Sequence, residues 1–196
     1  MTLGLFGYGS LVLPESAAMT LGRPVAEFAP AELRGWKRRF SQKRDNLTCE
    51  KTFECEGGRR PEWILGLNVE EGEDDAGPVN GVVIELTEAE LDRLDIREIR
   101  YDRVDVTEVV RGVDEKSEGL PERIVTYTAK PNHFAPEPPE DAIILATYAR
   151  AVEQGFDALG PGHLDTYRAT TGPYPVERLE AALVVDRIPA GNPRAW

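Results

Sequence analysis

The 196-residue sequence predicts a mixed α/β fold, a sheet or small barrel flanked by helices. Three observations carry that expectation. Short apolar runs bounded by turn residues occur at 3–8, 63–69 and 81–86. Helical signatures with start and stop signals lie among them, one near Pro14 and one at Thr87. Connections are mostly short, without a repeat or a low-complexity linker, so a single domain over residues 1–196 is expected.

Residues 3–8 read as a buried strand, and Gly7, Gly9 and Ser10 mark a turn at its end. Pro14 suits a first helical turn and Gly22 can close the helix, which predicts a helix to about Leu21. Residues 33–41 set Leu33, Trp36 and Phe40 among Arg34, Lys37, Arg38 and Arg39, a strand whose basic face should be solvated. Residues 42–62 are polar and glycine-bearing, hence loop. The strands at 63–69 and 81–86 bracket an acidic stretch, Glu70 to Gly77, which reads as an exposed hairpin connection. Thr87 and Glu90 form a capping-box signature for the next helix.

Residues 101–110 alternate, with Val104, Val106 and Val110 on one side, and predict one strand. A polar turn over 111–122 and a strand over 123–128 follow. Pro131, Pro136, Pro138 and Pro139 make an extended connector, since proline lacks a donor and restrains its predecessor. A helix is expected over 140–154, ending at Gly155, and a shorter one over 163–171, ending at Gly172. Leu183, Val184, Val185 and Ile188 read as a last strand.

The net charge of −12 argues against nucleic-acid and anionic-membrane partners, which need a basic surface. It leaves room for a small anionic metabolite in a local pocket. Cys49 and Cys55 have neither zinc-knuckle nor redox-pair spacing, so idle thiols in a reducing cytosol are expected. No export signal or membrane-length apolar stretch occurs, which fits a cytoplasmic protein. His133 and His163 are thirty residues apart without a ligand motif, so no metal is expected. No serine sits in a nucleophile elbow, and no phosphate-binding glycine loop occurs.

Two features can carry chemistry. The first is the turn Tyr8-Gly9-Ser10-Leu11, where glycine lets backbone approach a ligand and successive N–H groups can cradle a carboxylate or oxyanion. A plain strand-to-helix turn would have the same residues. The second is the helix from Thr87, where Leu91, Leu94 and Glu98 share a narrow arc with Asp95 close by, while Arg93 and Arg97 point away. A carboxylate on an inward stripe must be paired or carry a raised pKa, and a raised pKa suits acid–base work. A structural pair with Arg100 or Arg103 is the competing reading.

Together these features resemble the γ-glutamylcyclotransferase superfamily, which includes ChaC-like and AIG2-like proteins. The resemblance rests on Leu5-Phe6-Gly7-Tyr8-Gly9-Ser10-Leu11, on the strand from Gly81, on Leu94-Asp95-Ile96-Arg97-Glu98, and on Tyr101 and Val104 beyond. Arg34-Gly35-Trp36-Lys37-Arg38-Arg39-Phe40 is similar to the second-strand region of bacterial members. The likeness spans about residues 3–128 and leaves a divergent extension from about residue 131. It implies a small six-stranded barrel-like sheet flanked by helices. It also implies cofactor-free cyclisation of a γ-glutamyl amide to 5-oxoproline. Glu98 would be the acid/base, and Tyr8, Gly9, Ser10, Leu11 and Tyr127 would hold the γ-glutamyl group. Some members carry a substrate-contacting tyrosine at the start of the late helix, where Ile143 aligns. The competing expectation is a catalytically silent domain of the same fold that binds a metabolite or protein. Leaving group and oligomeric state are left open.

Overall fold

In the computed structural model, residues 2–25, 28–72, 77–113 and 119–194 are described. The first strand, β1 (Leu3–Gly7), is buried along its whole length and forms the centre of a six-stranded sheet. It pairs antiparallel with β6 (Val79–Leu86) and parallel with β9 (Arg123–Ala129). Beyond β6 lie β2 (Ala29–Leu33) and β8 (Val110–Gly112); beyond β9 lies β7 (Tyr101–Asp105). A strand flanked on both sides and both faces needs an apolar run rather than an alternating one, and Leu3, Leu5 and Phe6 meet that need.

The expected single strand at 101–110 is two strands on opposite edges of the sheet. Thr107 turns the chain by hydrogen-bonding Asp105 through both its N–H and its hydroxyl. Val106 still donates to Ile124 beside β9, whereas Arg34 of the β2 turn already donates to Val109. Six flat strands would set the edges about 24 Å apart, yet the few residues between β7 and β8 reach at most about 18 Å. The sheet must therefore curl, which is the barrel-like form. Its edge strands are not paired with each other among the described residues.

A second sheet of four strands runs β11 (Arg178–Leu179), β10 (Ala142–Leu145), β5 (Trp63–Glu71) and β3 (Trp36–Asp45). Four expectations change here. Residues 33–41 hold the end of β2, a turn at Gly35 with φ +74°, and the start of β3. The 42–62 region contains β4 (Lys51–Cys55), which pairs with β12 (Ala181–Asp186). Residues 70–77 connect strands of different sheets rather than a hairpin, because β5 pairs with β3 and β10 while β6 pairs with β1 and β2; residues 73–76 of it lie outside the described residues. The expected helix at 140–154 is β10 followed by α3 (Ala146–Ala158), since Ile143 and Ile144 enter the sheet before the helix starts.

The helices pack where their caps predict. In α1 (Pro14–Leu21), Pro14 opens the first turn, and Gly22, at φ +77°, donates its N–H to Ala18. In α2 (Glu88–Arg97) the Thr87–Glu90 capping box is formed in both directions. A short α4 (His163–Ala169) follows α3. The two sheets are tied together where Asn68 of β5 accepts from Ala129 of β9 at 2.7 Å and Tyr101 donates to Leu67 at 2.8 Å.

The basic run is not solvated throughout: Arg39 is exposed and Lys37 half-buried, but Arg38 turns inward. Arg38 is 0% exposed and lies over the rings of Tyr167 and Phe156, 4.4 and 5.0 Å from their centroids. It donates to the carbonyls of Tyr8 (3.2 Å) and Asn80 (2.7 Å), the Asn80 side chain, the Tyr167 carbonyl and the hydroxyls of Thr170 and Thr171. Desolvation lowers its pKa to about 9. Among the described residues, no helix is long and apolar enough to cross a membrane.

Candidate active site

The chain leaves β1 at Gly7, and the next four residues border a small cleft of about 50 Å³. Gly9 faces it closely: a Cβ at that position would lie 3.5 Å from Tyr148 Oη and 3.6 Å from a Leu67 methyl. The turn is held from behind, where Arg38 grips the Tyr8 carbonyl, and it continues into one 3₁₀ turn over Ser10–Val12. Ser10 Oγ accepts from Arg97 Nη2 at 3.0 Å.

Glu98 enters from the opposite wall. It is the residue that closes α2, with φ −90° and ψ 36°, so it leaves the helical phase while its N–H still reaches the Leu94 carbonyl. Its carbonyl accepts from Tyr101, which starts β7 and fixes the corner. The side chain is only 16% exposed. Burial raises its pKa, and the nearby Arg97 and Arg100 guanidinia only partly offset that effect.

Its partner is neither Arg100 nor Arg103. Arg100 pairs with Glu50 and Arg103 with Asp95, whereas Arg97 Nε lies 3.2 Å from Glu98 Oε1. Arg97 was expected to point away from the core, yet it is buried and donates to Thr20, Ser10 and Ser16 on the α1 side. The reason is that α2 buries a wider arc than Leu91 and Leu94 define, because α1 packs beside it and adds Glu90 and Arg97. Burial also lowers the Arg97 pKa.

All six residues singled out in the sequence, Tyr8, Gly9, Ser10, Leu11, Glu98 and Tyr127, line this one cleft. The structure adds Tyr101, Tyr148 and Leu67, which the sequence reading did not assign. Ile143 is a buried strand residue of β10 and does not line the cleft, whereas Tyr148, in the first turn of α3, does. Burial pushes the Tyr148 phenol up to about 12, and the Glu98 charge adds to this. Tyr8, Tyr101 and Tyr127 are raised by burial too, each with a contribution from Glu98. Four phenols thus surround one carboxylate. Among the described residues, no three metal-ligating side chains gather to hold an ion, and Cys49 and Cys55 remain free thiols outside the cleft.

The sequence matches no protein-family model and no curated protein. Solved structures do match over most of both chains. A protein titled gamma-glutamyl cyclotransferase superposes with a TM-score of 0.58 at 18% identity, covering 92% of this chain and 95% of that one. The chain adopts the γ-glutamylcyclotransferase fold. An uncharacterized protein from Homo sapiens matches with a TM-score of 0.57 at 18% identity, over 88% and 93%. A yeast γ-glutamyl cyclotransferase titled as specific to glutathione matches with 0.54 at 15% identity, over 87% and 97%. The six-stranded sheet with its flanking helices is therefore shared with this fold.

Proposed function

We propose that this chain is a γ-glutamylcyclotransferase-type lyase, converting a small γ-glutamyl amide into 5-oxoproline and a free amine or amino acid. One observation carries the reading: a largely buried carboxylate with a raised pKa, Glu98, lines the same cleft as the Tyr8–Leu11 turn. The nucleophile of such a reaction is the substrate's own α-amine, which attacks the γ-carbonyl to close a five-membered lactam. Proximity is built into the substrate, so the protein needs to hold it bent and move protons. Glu98 takes a proton from the α-ammonium, the ring C–N bond forms, and Glu98 returns the proton to the old amide nitrogen as its C–N bond breaks; the attacking nitrogen's second surplus proton passes to the departing amine by the same relay. Of the three ammonium protons, one stays on the lactam nitrogen and two end on the leaving amine. Backbone N–H groups of the turn, held by Arg38 on the Tyr8 carbonyl, would steady the γ-glutamyl group and its oxyanion.

The substrate class is the small γ-glutamyl compounds, and the fold-mates' titles include glutathione among the candidates. The test is a panel of γ-glutamyl amino acids, glutathione and γ-glutamylamines, with 5-oxoproline detected by mass. Formation from at least one member, lost in Glu98→Gln, is the expected result. Absence of 5-oxoproline across the panel overturns the reading.

A further inference from the structure

One buried cation beside the cleft takes no part in the proton transfers above. Arg97 is the last residue of α2, its side chain is 4% exposed, and it is not among the residues that line the cleft. Each of its guanidinium nitrogens is engaged. Nε lies 3.2 Å from Glu98 Oε1, Nη2 donates to Ser10 Oγ at 3.0 Å and to Ser16 Oγ at 3.4 Å, and Nη1 donates to Thr20 Oγ1 at 2.6 Å. Thr20 spends its own proton on the Ser16 carbonyl at 2.8 Å, so its oxygen is free to accept. One planar fork therefore joins the residue that closes α2, the turn after β1 and the body of α1. Its anchor on α1 lies outside the cleft, where no ligand competes for it.

The other groups that face Glu98 supply little charge. Tyr8 from the end of β1, Tyr101 from β7, Tyr127 from β9 and Tyr148 from α3 are phenols that burial keeps neutral at pH 7. Arg100, at the corner after α2, places Nη2 on both oxygens of Glu50, which takes up its charge. Arg97 meets only hydroxyls with its remaining nitrogens, and a hydroxyl neutralises nothing, so its charge falls on Glu98. A carboxylate this far from water needs such a neighbour to stay ionised at neutral pH. Resting on the reading above, we propose that Arg97 is the positioning residue of this site: it keeps Glu98 a carboxylate, ready for the first proton, and holds it in register with the Tyr8–Leu11 turn. Arg97 touches no substrate and acts through Glu98 and Ser10. A guanidinium suits the task, because it stays protonated in a protein and presents its donors in a fixed fork. A misplacement of about 1 Å between base and turn can cost about 10²-fold in rate.

Arg97→Met and Arg97→Lys separate the charge from the fork. The Glu98 carboxyl carbon is titrated by carbon-13 NMR, its signal identified by its loss in Glu98→Gln. The pH profile of kcat/KM and the melting temperature are measured on the same preparations. In Arg97→Met the Glu98 titration and the acid limb of kcat/KM should both move to higher pH by about one unit or more, as expected for losing an opposite charge at contact distance. In Arg97→Lys, which keeps a charge without the fork, the titration should move less, while kcat/KM on the alkaline plateau falls by about tenfold or more. If Arg97→Met does not fold, Arg97→Gln replaces it, since its amide can still bond Ser10 and Thr20. An unmoved Glu98 titration in the folded neutral variant overturns the role of the charge. Parent-level kcat/KM in Arg97→Lys overturns the role of the fork. A lowered melting temperature with titration and plateau unchanged makes Arg97 a structural residue and overturns both. A shifted titration in a protein that forms no 5-oxoproline supports the hold of Arg97 on Glu98 and overturns only the reaction.

Discussion

Glu98 carries its charge against its surroundings, and the consequences for rate and for stability have opposite signs. Burial raises its pKa, so folding favours the protonated form. The stabilisation this brings is complete below the unfolded carboxylate range and is lost as pH rises through the folded value. At neutral pH the ionised group therefore costs stability, and the lowered pKa of Arg97 says the same of its partner. The buried pair does not repay its own desolvation. Glu98→Gln should lower turnover by about 10²-fold or more, as expected for a lost acid/base, with a melting temperature equal to or above that of the parent. A folded variant with near-normal 5-oxoproline production would sink the mechanism. Gly9 makes a second residue-scale test. A Cβ there meets Tyr148 and Leu67 at ordinary contact distance, so Gly9→Val should fold while its methyls fill a cleft of about 50 Å³. Ligand binding should vanish in calorimetry while the melting temperature moves by only a few degrees; intact binding would make the turn merely structural. Glu98 and the glycine turn were legible because a carboxylate on an apolar stripe and a Tyr-Gly-Ser turn after a buried strand are local patterns. Tyr101 and Tyr148 were not, since an aromatic residue at a strand or helix start has no signature of the cleft that other elements build around it.

At the scale of elements, Arg38 shows why a charge pattern along one strand misleads. Within β3 the alternation sets it on the face of buried Trp36 and Phe40, opposite Lys37 and Arg39, and only its charge reads as solvent-facing. Its acceptors arrive elsewhere, from Asn80 on β6 and from Tyr167, Thr170 and Thr171 at the end of α4, more than a hundred residues later for the last three. The guanidinium locks the end of β1 to β6 and α4, so the Tyr8–Leu11 turn inherits its position from the far end of the chain. Arg38→Met fills the space but leaves several buried carbonyl and hydroxyl acceptors without donors. That should cost about 3 kcal/mol or more, read as a lower urea midpoint with unchanged slope. An unchanged midpoint would mean that the surroundings close around the methionine and that Arg38 contributes position rather than stability. The missed elements share this cause. Lys51–Cys55 has little apolar alternation, and β4 exists because β12 pairs with it from the other end of the sequence. The run Ile143-Ile144-Leu145 is compatible with a buried helix or strand by pattern alone, and β5 and β11 decide the matter by pairing with β10. Capped helices, whose signals are local, were placed within a few residues.

For the whole molecule, acidic charge and paired carboxylates should set a pH dependence unlike that of the proposed reaction. The chain carries a net −12 at pH 7, so its compact state repels itself, and that repulsion weakens toward the isoelectric point near 4.7. Several carboxylates pull the other way. Burial works against the Glu50 charge, yet hydrogen bonds from Arg100, its own backbone and Arg194 hold its pKa down at about 2. Glu90 is lowered as well: the Arg23 and Thr87 contacts outweigh its burial. Asp105 is lowered by its hydrogen bonds with Thr107. A depressed carboxylate stabilises the fold fully above its unfolded pKa, and that contribution drains away as pH falls from about 4.5 toward 2. Among the described carboxylates Glu98 favours folding in the acid direction through its raised pKa, and in the proposed reaction it is ionised for the first proton transfer. The melting temperature should therefore peak between roughly pH 5 and 6 and fall below about pH 4, while kcat/KM should rise with pH as Glu98, its pKa raised by burial, ionises. Added salt should raise the melting temperature at pH 8, where self-repulsion is strong, and have little effect at pH 5. In Glu98→Gln the loss of melting temperature that accompanies Glu98 ionisation in the parent should be absent. Melting curves of both proteins from pH 3 to 9, at low and high salt, test each part. A parent melting temperature still climbing at pH 8 would show that the paired carboxylates and the net charge do not control stability in this molecule.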